Sequence, residues 1–172
     1  MQITKLDAAR RQIDSAIDLY FNGGDAISIH TLVGAAHILI TDLSNAANQE
    51  TLIKKHIRSE KRWEFERAIR TPQNFLKHAA KDPHAVLDFD PHATELLLLI
   101  EVETFRELTG SITDSMNAFL TYAAATWGKV AFEAIPGDVL TGVSMVAAQV
   151  PKQEFFSLCM QALGKSSGVV SD

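Results

Sequence analysis

The chain has 172 residues, of which 47% are hydrophobic and 22% are charged, and its formal net charge is −5. This length and composition are those of one ordinary globular domain that is large enough to bury a core. The mild acidity argues against a general DNA-binding protein, although it leaves room for a local basic patch.

The sequence carries no pattern typical of secretion or of a membrane span. Residues 1–11 are polar and lack the apolar segment of a signal peptide. The longest aliphatic run, Leu96 to Ile100, is far shorter than the roughly 20 residues that a spanning helix needs. The single cysteine, Cys159, excludes an intramolecular disulfide and is predicted to be a buried small hydrophobe. We therefore expect a cytoplasmic protein that does not associate with a membrane.

Apolar residues recur every three or four positions from the start of the chain, which predicts helices. A first helix is expected to begin after Thr4, a capping residue, and to end at Gly23 and Gly24. A second helix is expected to start at Asp25 or Ser28 and to continue to about residue 47. Its apolar stripe is broad, so we expect it to lie at the centre of a bundle.

A third helix is predicted over residues 49–70. Thr71 and Pro72 predict a break and a restart, because Thr favours the cap position and Pro the first helical position. A short helix would then cover residues 72–80, followed by a loop over residues 81–91. Asp90 and Pro91 repeat the cap-plus-proline pattern and predict the start of a longer helix.

Gly110 is expected to end that helix, and Ser111 or Thr113 to cap the next one, which includes Val130. Residues 136–137 predict a turn into a short apolar segment over residues 138–150. Pro151 opens a last helix to residue 163, and residues 164–172 are expected to form a frayed tail. The short turns favour an all-α fold in one domain over residues 1–172, an antiparallel bundle of about six or seven helices.

Residues 54–81 contain nine of the sixteen Lys and Arg residues and carry a net charge of +6, which leaves −11 on the rest of the chain. Such a local positive field suits an anionic ligand such as RNA or a nucleotide. The same pattern also fits a solvated helix face, an acidic partner protein or a second copy of this chain. The candidate phosphate-binding residues are Lys54, Lys55, Arg58, Arg62 and Arg67.

The basic segment continues into Gln73-Asn74-Phe75-Leu76-Lys77-His78, which resembles the catalytic motif of the HEPN superfamily of small helical bundles. That motif is an Arg followed by four to six residues and a His, often with a polar residue directly after the Arg. Asn74 matches the polar position and His78 the final His, whereas Gln73 stands in place of the Arg. The family includes many bacterial toxins and defence RNases.

The resemblance implies metal-independent RNA cleavage without a cofactor, often at a dimer interface. His78 would act as general acid or base, and Arg70 or Lys77 would stabilise the developing phosphorane charge. Asn74 lies four residues before His78, so one helix face can present both. We therefore expect a HEPN-like domain that binds RNA or a nucleotide, with weak or partner-dependent RNase activity. The alternative is a noncatalytic protein-interaction module, in which Asn74 and His78 are ordinary polar residues at a bundle end.

Other polar residues give weaker patterns. His30 and His37 are seven residues apart, about 10 Å along one helix face, which is too far for both to bind one metal ion. His37 is predicted to be a hydrogen-bonded core residue, whereas His30 is left open as a neighbour of His78. Glu101 and Glu103 face different sides of their helix, which argues against a di-iron carboxylate site.

The loop before the fifth helix combines histidines with aspartates, a set that is able to bind zinc or manganese. Its candidates are His84, Asp88, Asp90 and His92. Asp90 has a sufficient role as a helix cap, so we expect no metal site. The sparsely charged C-terminal third, residues 112–163, has wide apolar stripes, which favours a homo-oligomer.

Overall fold

The structure is a computed structural model that describes residues 1–80, 82–127 and 144–166. Within these ranges the chain forms seven helices and a short helical segment over residues 144–149, and it contains no strand. The prediction of an all-α bundle of about six or seven helices is therefore confirmed. The helices are α1 (Lys5–Phe21), α2 (Ala26–Ala46), α3 (Leu52–His56), α4 (Ser59–Lys77), α5 (Pro91–Thr109), α6 (Asp114–Trp127) and α7 (Lys152–Ser166).

Hydrogen bonds to capping side chains, together with a glycine conformation, set the ends of the first two helices. The Thr4 hydroxyl accepts a hydrogen bond from the Asp7 backbone at 3.0 Å, and the Asp7 carboxylate accepts one from the Thr4 backbone at 3.1 Å. This reciprocal pair is a capping box, and it fixes the start of α1. Gly23, with φ of 69°, follows the end of α1, and the Asp25 carboxylate caps α2 by accepting from the Ser28 backbone at 2.8 Å.

The helices of the second half also follow the predicted signals. Asp90 caps α5 by accepting from the His92 backbone at 2.9 Å, and Pro91 occupies the first helical position. Gly110 ends α5 in the left-handed conformation, with φ of 74°. Thr113, one of the two predicted caps, accepts a hydrogen bond from the Met116 backbone at 3.2 Å at the start of α6.

The predicted third helix is wrong in its boundaries. The chain breaks at Ile57 and Arg58, whose backbones are extended, so residues 49–70 form α3 and part of α4 rather than one helix. Pro72 does not restart a helix but lies inside α4, where it cannot donate to the carbonyl one turn back. Ile69 and Gln73 on either side of it are buried in the bundle, and this packing keeps α4 continuous.

Four long helices form the central bundle, and their directions follow from paired contacts. The four-residue connection between α1 and α2 makes these helices an antiparallel pair. His30 of α2 contacts Thr94 of α5, and seven residues further along each helix His37 contacts Glu101. Helices α2 and α5 are therefore parallel. Helices α1 and α6 are also parallel, because Asp14 contacts Thr113 at the start of α6 and Tyr20, six residues later, contacts Phe119. The prediction of antiparallel packing therefore applies to helices joined by short turns, such as α1 and α2, whereas the long crossover that contains α3 and α4 allows α2 and α5 to be parallel.

The core lies between α1, α2, α5 and α6, and α7 adds to one end of it. An aromatic cluster closes that end, where the Phe21 and Phe156 rings stack at 4.6 Å and Tyr20 meets Phe119 edge to face at 5.6 Å. Among the described residues, α2 is the one helix that is long and apolar enough to cross a membrane by length and composition. This helix also contacts α1, α4 and α5, and a central helix of a bundle meets the same criterion.

Several predictions for the C-terminal third fall outside the described residues, namely the end of the sixth helix at Val130, the turn at residues 136–137 and the start of the apolar segment. Helix α7 continues to Ser166, three residues beyond the predicted end at residue 163, so residues 164–166 are helical. Met145 and Leu158 expose 58% and 45% of their surface. Oligomerisation through this part of the chain stays a prediction.

Candidate functional site

Helix α4 has one buried and one exposed face, and the buried face contains Gln73. Its side chain is only 3% exposed, and its amide Nε2 donates to the backbone carbonyl of Gly34 on α2. A Cβ atom at Gly34 would lie 3.0 Å from that nitrogen, so the two helices approach closely because residue 34 is glycine. Gln73, at the position of the motif's Arg, is therefore held inside the bundle.

The exposed end of α4 faces a groove of about 730 Å³. Asn74 and His78 both line it, one helical turn apart, and both are exposed. His78 is the first residue after α4, and its backbone N–H donates to the Asn74 carbonyl at 3.0 Å. The rest of the lining is Thr71, Phe75, Ala80, Asp82, Ala85, Val86 and Leu87. The structure thus brings two of the four predicted catalytic residues together at one solvent-open surface.

The two predicted catalytic cations lie on the same exposed face of α4. Arg70 precedes Asn74 by one turn, and its guanidinium lies 3.6 Å from the Glu66 carboxylate in an exposed pair. Lys77 is exposed beside the groove and forms no ion pair within the described residues. Such a weak exposed pairing at Arg70 leaves its charge available to a ligand.

Three of the five predicted phosphate-binding residues have partners within the protein. Lys54 donates to the Asn45 side chain at 2.9 Å, and Lys55 pairs with Glu107 on α5 at 2.8 Å. The Arg62 guanidinium donates to the Ile57 carbonyl at 2.9 Å and also to the Lys54 carbonyl. Arg62 therefore connects the end of α3 to the start of α4 by hydrogen bonds. None of these three cations lines the groove.

The other two predicted phosphate-binding residues are more accessible. Arg58 is exposed at the start of α4 and has no ion pair among the described residues. Arg67 is exposed, and its guanidinium lies over the ring of Trp63, 5.3 Å from the ring centre. The Trp63 side chain, which the sequence pattern assigned to the helix without a functional role, is 67% exposed.

A buried polar pair joins α2 to α5 behind this face. His37 Nδ1 lies 2.7 Å from Glu101 Oε1, and the two side chains are 11% and 2% exposed. Burial by itself would lower the pKa of His37, but the hydrogen bond and the charge of Glu101 outweigh it, so that the pKa lies above its usual value. The prediction of a hydrogen-bonded core His37 is correct, whereas no sequence pattern indicated Glu101 as its partner.

His30 does not join His78 at the groove. Its ring is 1% exposed, its Nδ1 lies 3.0 Å from the Thr94 hydroxyl, and the Phe89 ring meets it edge to face at 5.4 Å. Burial lowers the pKa of His30, against an opposing contribution from the Ile69 backbone. The groove lining includes neither His30 nor His37.

The histidine and aspartate loop has a structural role at Asp90, which caps α5. His92 Nδ1 lies 3.5 Å from Glu95, one turn along the same helix. Within residues 1–80, 82–127 and 144–166, no three His, Cys, Asp or Glu side chains form a group that fits a metal ion. Cys159 is half-buried against the core, and burial raises the pKa of its thiol.

Comparisons of the chain with family models, with curated proteins and with solved structures find no match. A functional assignment therefore has to rest on the groove and on the charges around it. What they offer chemically is a set of hydrogen-bonding groups, an imidazole and two cations at one surface, beside an apolar wall formed by Phe75, Val86 and Leu87.

Proposed function

We propose that this chain is a HEPN-like domain that binds RNA or a nucleotide at the groove beside the end of α4. The observation that carries the proposal is that Asn74 and His78 line one groove, with Arg70 and Lys77 exposed on the same helix. Phosphate oxygens accept hydrogen bonds from amide and imidazole N–H groups and are attracted to cations. The apolar wall formed by Phe75 and its neighbours supplies a surface against which a base packs.

Cleavage of bound RNA, in this proposal, uses His78 as the group that transfers a proton at the ribose 2′-hydroxyl or at the leaving oxygen. The 2′-hydroxyl loses its proton as its oxygen bonds to phosphorus, and the 5′-oxygen gains a proton as its bond to phosphorus breaks. His78 carries out one of these two transfers and water the other. Arg70 or Lys77 stabilises the negative charge on the phosphoryl oxygens. Gln73 has no part in this step, because its amide is buried against Gly34. The loss of the motif's Arg from the groove supports weak or partner-dependent activity.

The test is binding and cleavage of a mixed single-stranded RNA by the purified protein, with EDTA present and at two salt concentrations. We expect binding that weakens with salt, because cations that contact phosphates release counterions. Lys77→Glu should abolish most of this binding, whereas Lys5→Glu at the exposed start of α1 changes the net charge equally and should leave binding intact. Binding that is insensitive to Lys77→Glu, or no binding at all, would contradict the proposal.

Cleavage is tested with His78→Ala and with His56→Ala as the matched control, because both histidines are exposed and only His78 lines the groove. Product that forms in EDTA with the wild type and with His56→Ala, but not with His78→Ala, supports His78 as the catalytic residue. Cleavage that persists in His78→Ala assigns the activity to a contaminant or to another residue. Binding without cleavage keeps the ligand-binding part of the proposal alone.

The rival function is a noncatalytic protein-interaction module. The observation that favours it is the apolar part of the groove, in which Val86 is 94% exposed and lies beside Phe75 and Leu87. A partner protein that binds there would lose affinity with Val86→Glu and tolerate His78→Ala. The RNA experiment separates the two functions, because the interaction module has no requirement for salt-sensitive RNA binding.

A further inference from the structure

Trp63 is the one large aromatic side chain of α4 that points to solvent, and its surroundings are unusual for an exposed tryptophan. The side chain is 67% exposed, and the Arg67 guanidinium lies over its ring, 5.3 Å from the centre. The attraction between the charge of the cation and the ring favours this arrangement of the two side chains. An exposed indole with a guanidinium over one face of its ring is suited to stacking on a flat anionic ligand.

This tryptophan lies on the same face of α4 as the groove. Residues 63, 67, 70, 74 and 77 follow one another at intervals of three or four, so they form one continuous stripe along the helix. All five are exposed, whereas Ile69 and Gln73 on the other face are buried. From Trp63 to Lys77 the stripe extends about 21 Å at the α-helical rise. We call it the α4 stripe, and it ends at the groove that His78 lines.

The charges of the α4 stripe favour an anionic ligand. It contains Arg67, Arg70 and Lys77. Among the nearby carboxylates of α4, Glu66 forms a long exposed pair with Arg70, and Glu64 pairs with Lys61 outside the stripe. A strand of nucleic acid meets such a surface with its phosphates on the cations. Its bases are then free to stack, which a duplex does not allow, since its bases are paired and stacked on one another.

We infer that Trp63 is a base-stacking residue for single-stranded RNA, which lies along the α4 stripe with one end in the groove. This inference rests on the proposed function and deepens it, because it names single-stranded nucleic acid as the ligand class and adds a binding residue about 12 Å along α4 from Thr71, the nearest residue of the groove lining. A free mononucleotide held between Asn74 and His78 would not reach Trp63, which lies about 17 Å along α4 from Asn74. An anion without bases would use the cations and not the indole.

The experiment uses the tryptophan itself as the probe. The chain has two tryptophans, and Trp127 is partly buried against Phe119 at 6.3 Å, so Trp127→Phe leaves Trp63 as the sole indole emitter. This variant is titrated with single-stranded oligouridylate, oligoadenylate, a matched RNA duplex and inorganic polyphosphate, with circular dichroism as the check on folding. We expect the single strands to quench Trp63 emission and polyphosphate to bind without quenching it.

Affinity is then measured by the anisotropy of labelled oligoadenylate for wild type, Trp63→Ala and Trp63→Phe. Loss of one stacked base should weaken binding by roughly 5- to 150-fold in Trp63→Ala, and Trp63→Phe should recover most of it because it keeps an aromatic plane. Polyphosphate affinity should stay the same in both variants. These changes are on an exposed side chain, so folding is preserved.

The outcomes separate this inference from the proposed function. Single-stranded RNA that binds in a Lys77-dependent way without quenching Trp63, and with equal affinity for Trp63→Ala, overturns the stacking role and leaves the groove as the site. Equal affinity for duplex and single strand also overturns it. No RNA binding at all overturns both the stacking role and the proposed function. Trp63 and Arg67 would then be candidates for binding an acidic protein surface.

Discussion

His37 on α2 and Glu101 on α5 form an ion pair inside the bundle, 2.7 Å between Nδ1 and Oε1. The second carboxylate oxygen, Oε2, is buried and has no hydrogen-bond partner within the described structure. Glu66 and Arg70 of α4 also influence His37 electrostatically, so two neighbouring helices, α5 and α4, contribute charge to one histidine of α2. Together with the His30–Thr94 contact, the pair therefore contributes to the register of α2 against α5.

Replacing Glu101 with Gln should lower the free energy of unfolding by about 1–3 kcal/mol, because the hydrogen bond remains while its charge assistance is lost. The measurement is urea denaturation at neutral pH. Glu107→Gln is the matched control, since it breaks the Lys55 pair, in which both side chains are nearly 40% exposed. That control should cost no more than about 1 kcal/mol. Equal losses in the two variants would show that burial of the His37 pair has no energetic consequence.

The same pair predicts a pH dependence whose sign follows from the pKa of His37. The pKa in the folded protein is raised above the usual 6.5, so the folded state binds the proton more tightly than the unfolded state. The stabilisation is fully present below about pH 6.5 and is lost as the pH rises through the folded pKa. We expect the difference in unfolding free energy between wild type and Glu101→Gln to shrink between about pH 6 and pH 9. A difference that stays constant over this range would disprove the link.

His30 should act in the opposite direction. Its pKa is lowered from 6.5 in the folded protein because its ring is buried, so the unfolded state binds the proton more tightly. Stability is therefore lost as the pH falls below about 6.5. His30→Gln should flatten the fall in stability between about pH 7 and pH 5.5, measured by thermal unfolding across that range. An unchanged slope would mean that His30 is not the group responsible.

The helix ends were predictable because each depends on a few neighbouring residues. Thr4 with Asp7, Asp90 with Pro91, and Gly110 are local signals, and the structure uses each of them. The break at Ile57 was missed for the same reason that the break at Pro72 was wrongly predicted. In both places tertiary packing decides, since Ile57 packs on the core in an extended conformation and Gln73 anchors α4 to α2.

The candidate site was predicted only in part. The spacing of Asn74 and His78 correctly placed them one turn apart, and the groove between α4 and the following loop contains both. The sequence showed the basic segment but not how it is divided, because partners such as Asn45 and Glu107 come from distant positions. The partnership of His37 with Glu101 spans 64 residues, and no local pattern encodes it.

Arg62 is one of the basic residues that bind other groups of the protein, and this structural role gives a further test. Its guanidinium donates to the carbonyls of Ile57 and Lys54, so it closes the end of α3. Arg62→Ala should cost about 1.5–3 kcal/mol, the usual range for hydrogen bonds to charged groups. Lys61→Ala, next to it, removes only an exposed pair with Glu64 and should cost less than about 1 kcal/mol. Equal stability of the two variants in urea denaturation would argue against a structural role for Arg62.

The close approach of α2 and α4 at Gly34 and Gln73 allows a double-mutant cycle. An added Cβ at Gly34 would lie 3.0 Å from Gln73 Nε2 and 3.2 Å from its Cδ, so the amide has to move and its hydrogen bond to the Gly34 carbonyl is disturbed. Alanine would otherwise favour the helix by about 1 kcal/mol. We expect crowding to win, with Gly34→Ala destabilising the protein by about 1–2 kcal/mol.

In the Gln73→Ala background the space is open, and the same Gly34→Ala change should become neutral or stabilising by up to about 1 kcal/mol. The coupling between the two positions, measured by urea denaturation of all four proteins, should then be about 1–3 kcal/mol. Gly164→Ala is the control for propensity alone, because a Cβ there meets nothing within 4 Å. Additive effects at Gly34 and Gln73 would mean that the Gln73 side chain moves aside freely. The hydrogen bond to the Gly34 carbonyl would then not be what holds Gln73 in its buried position.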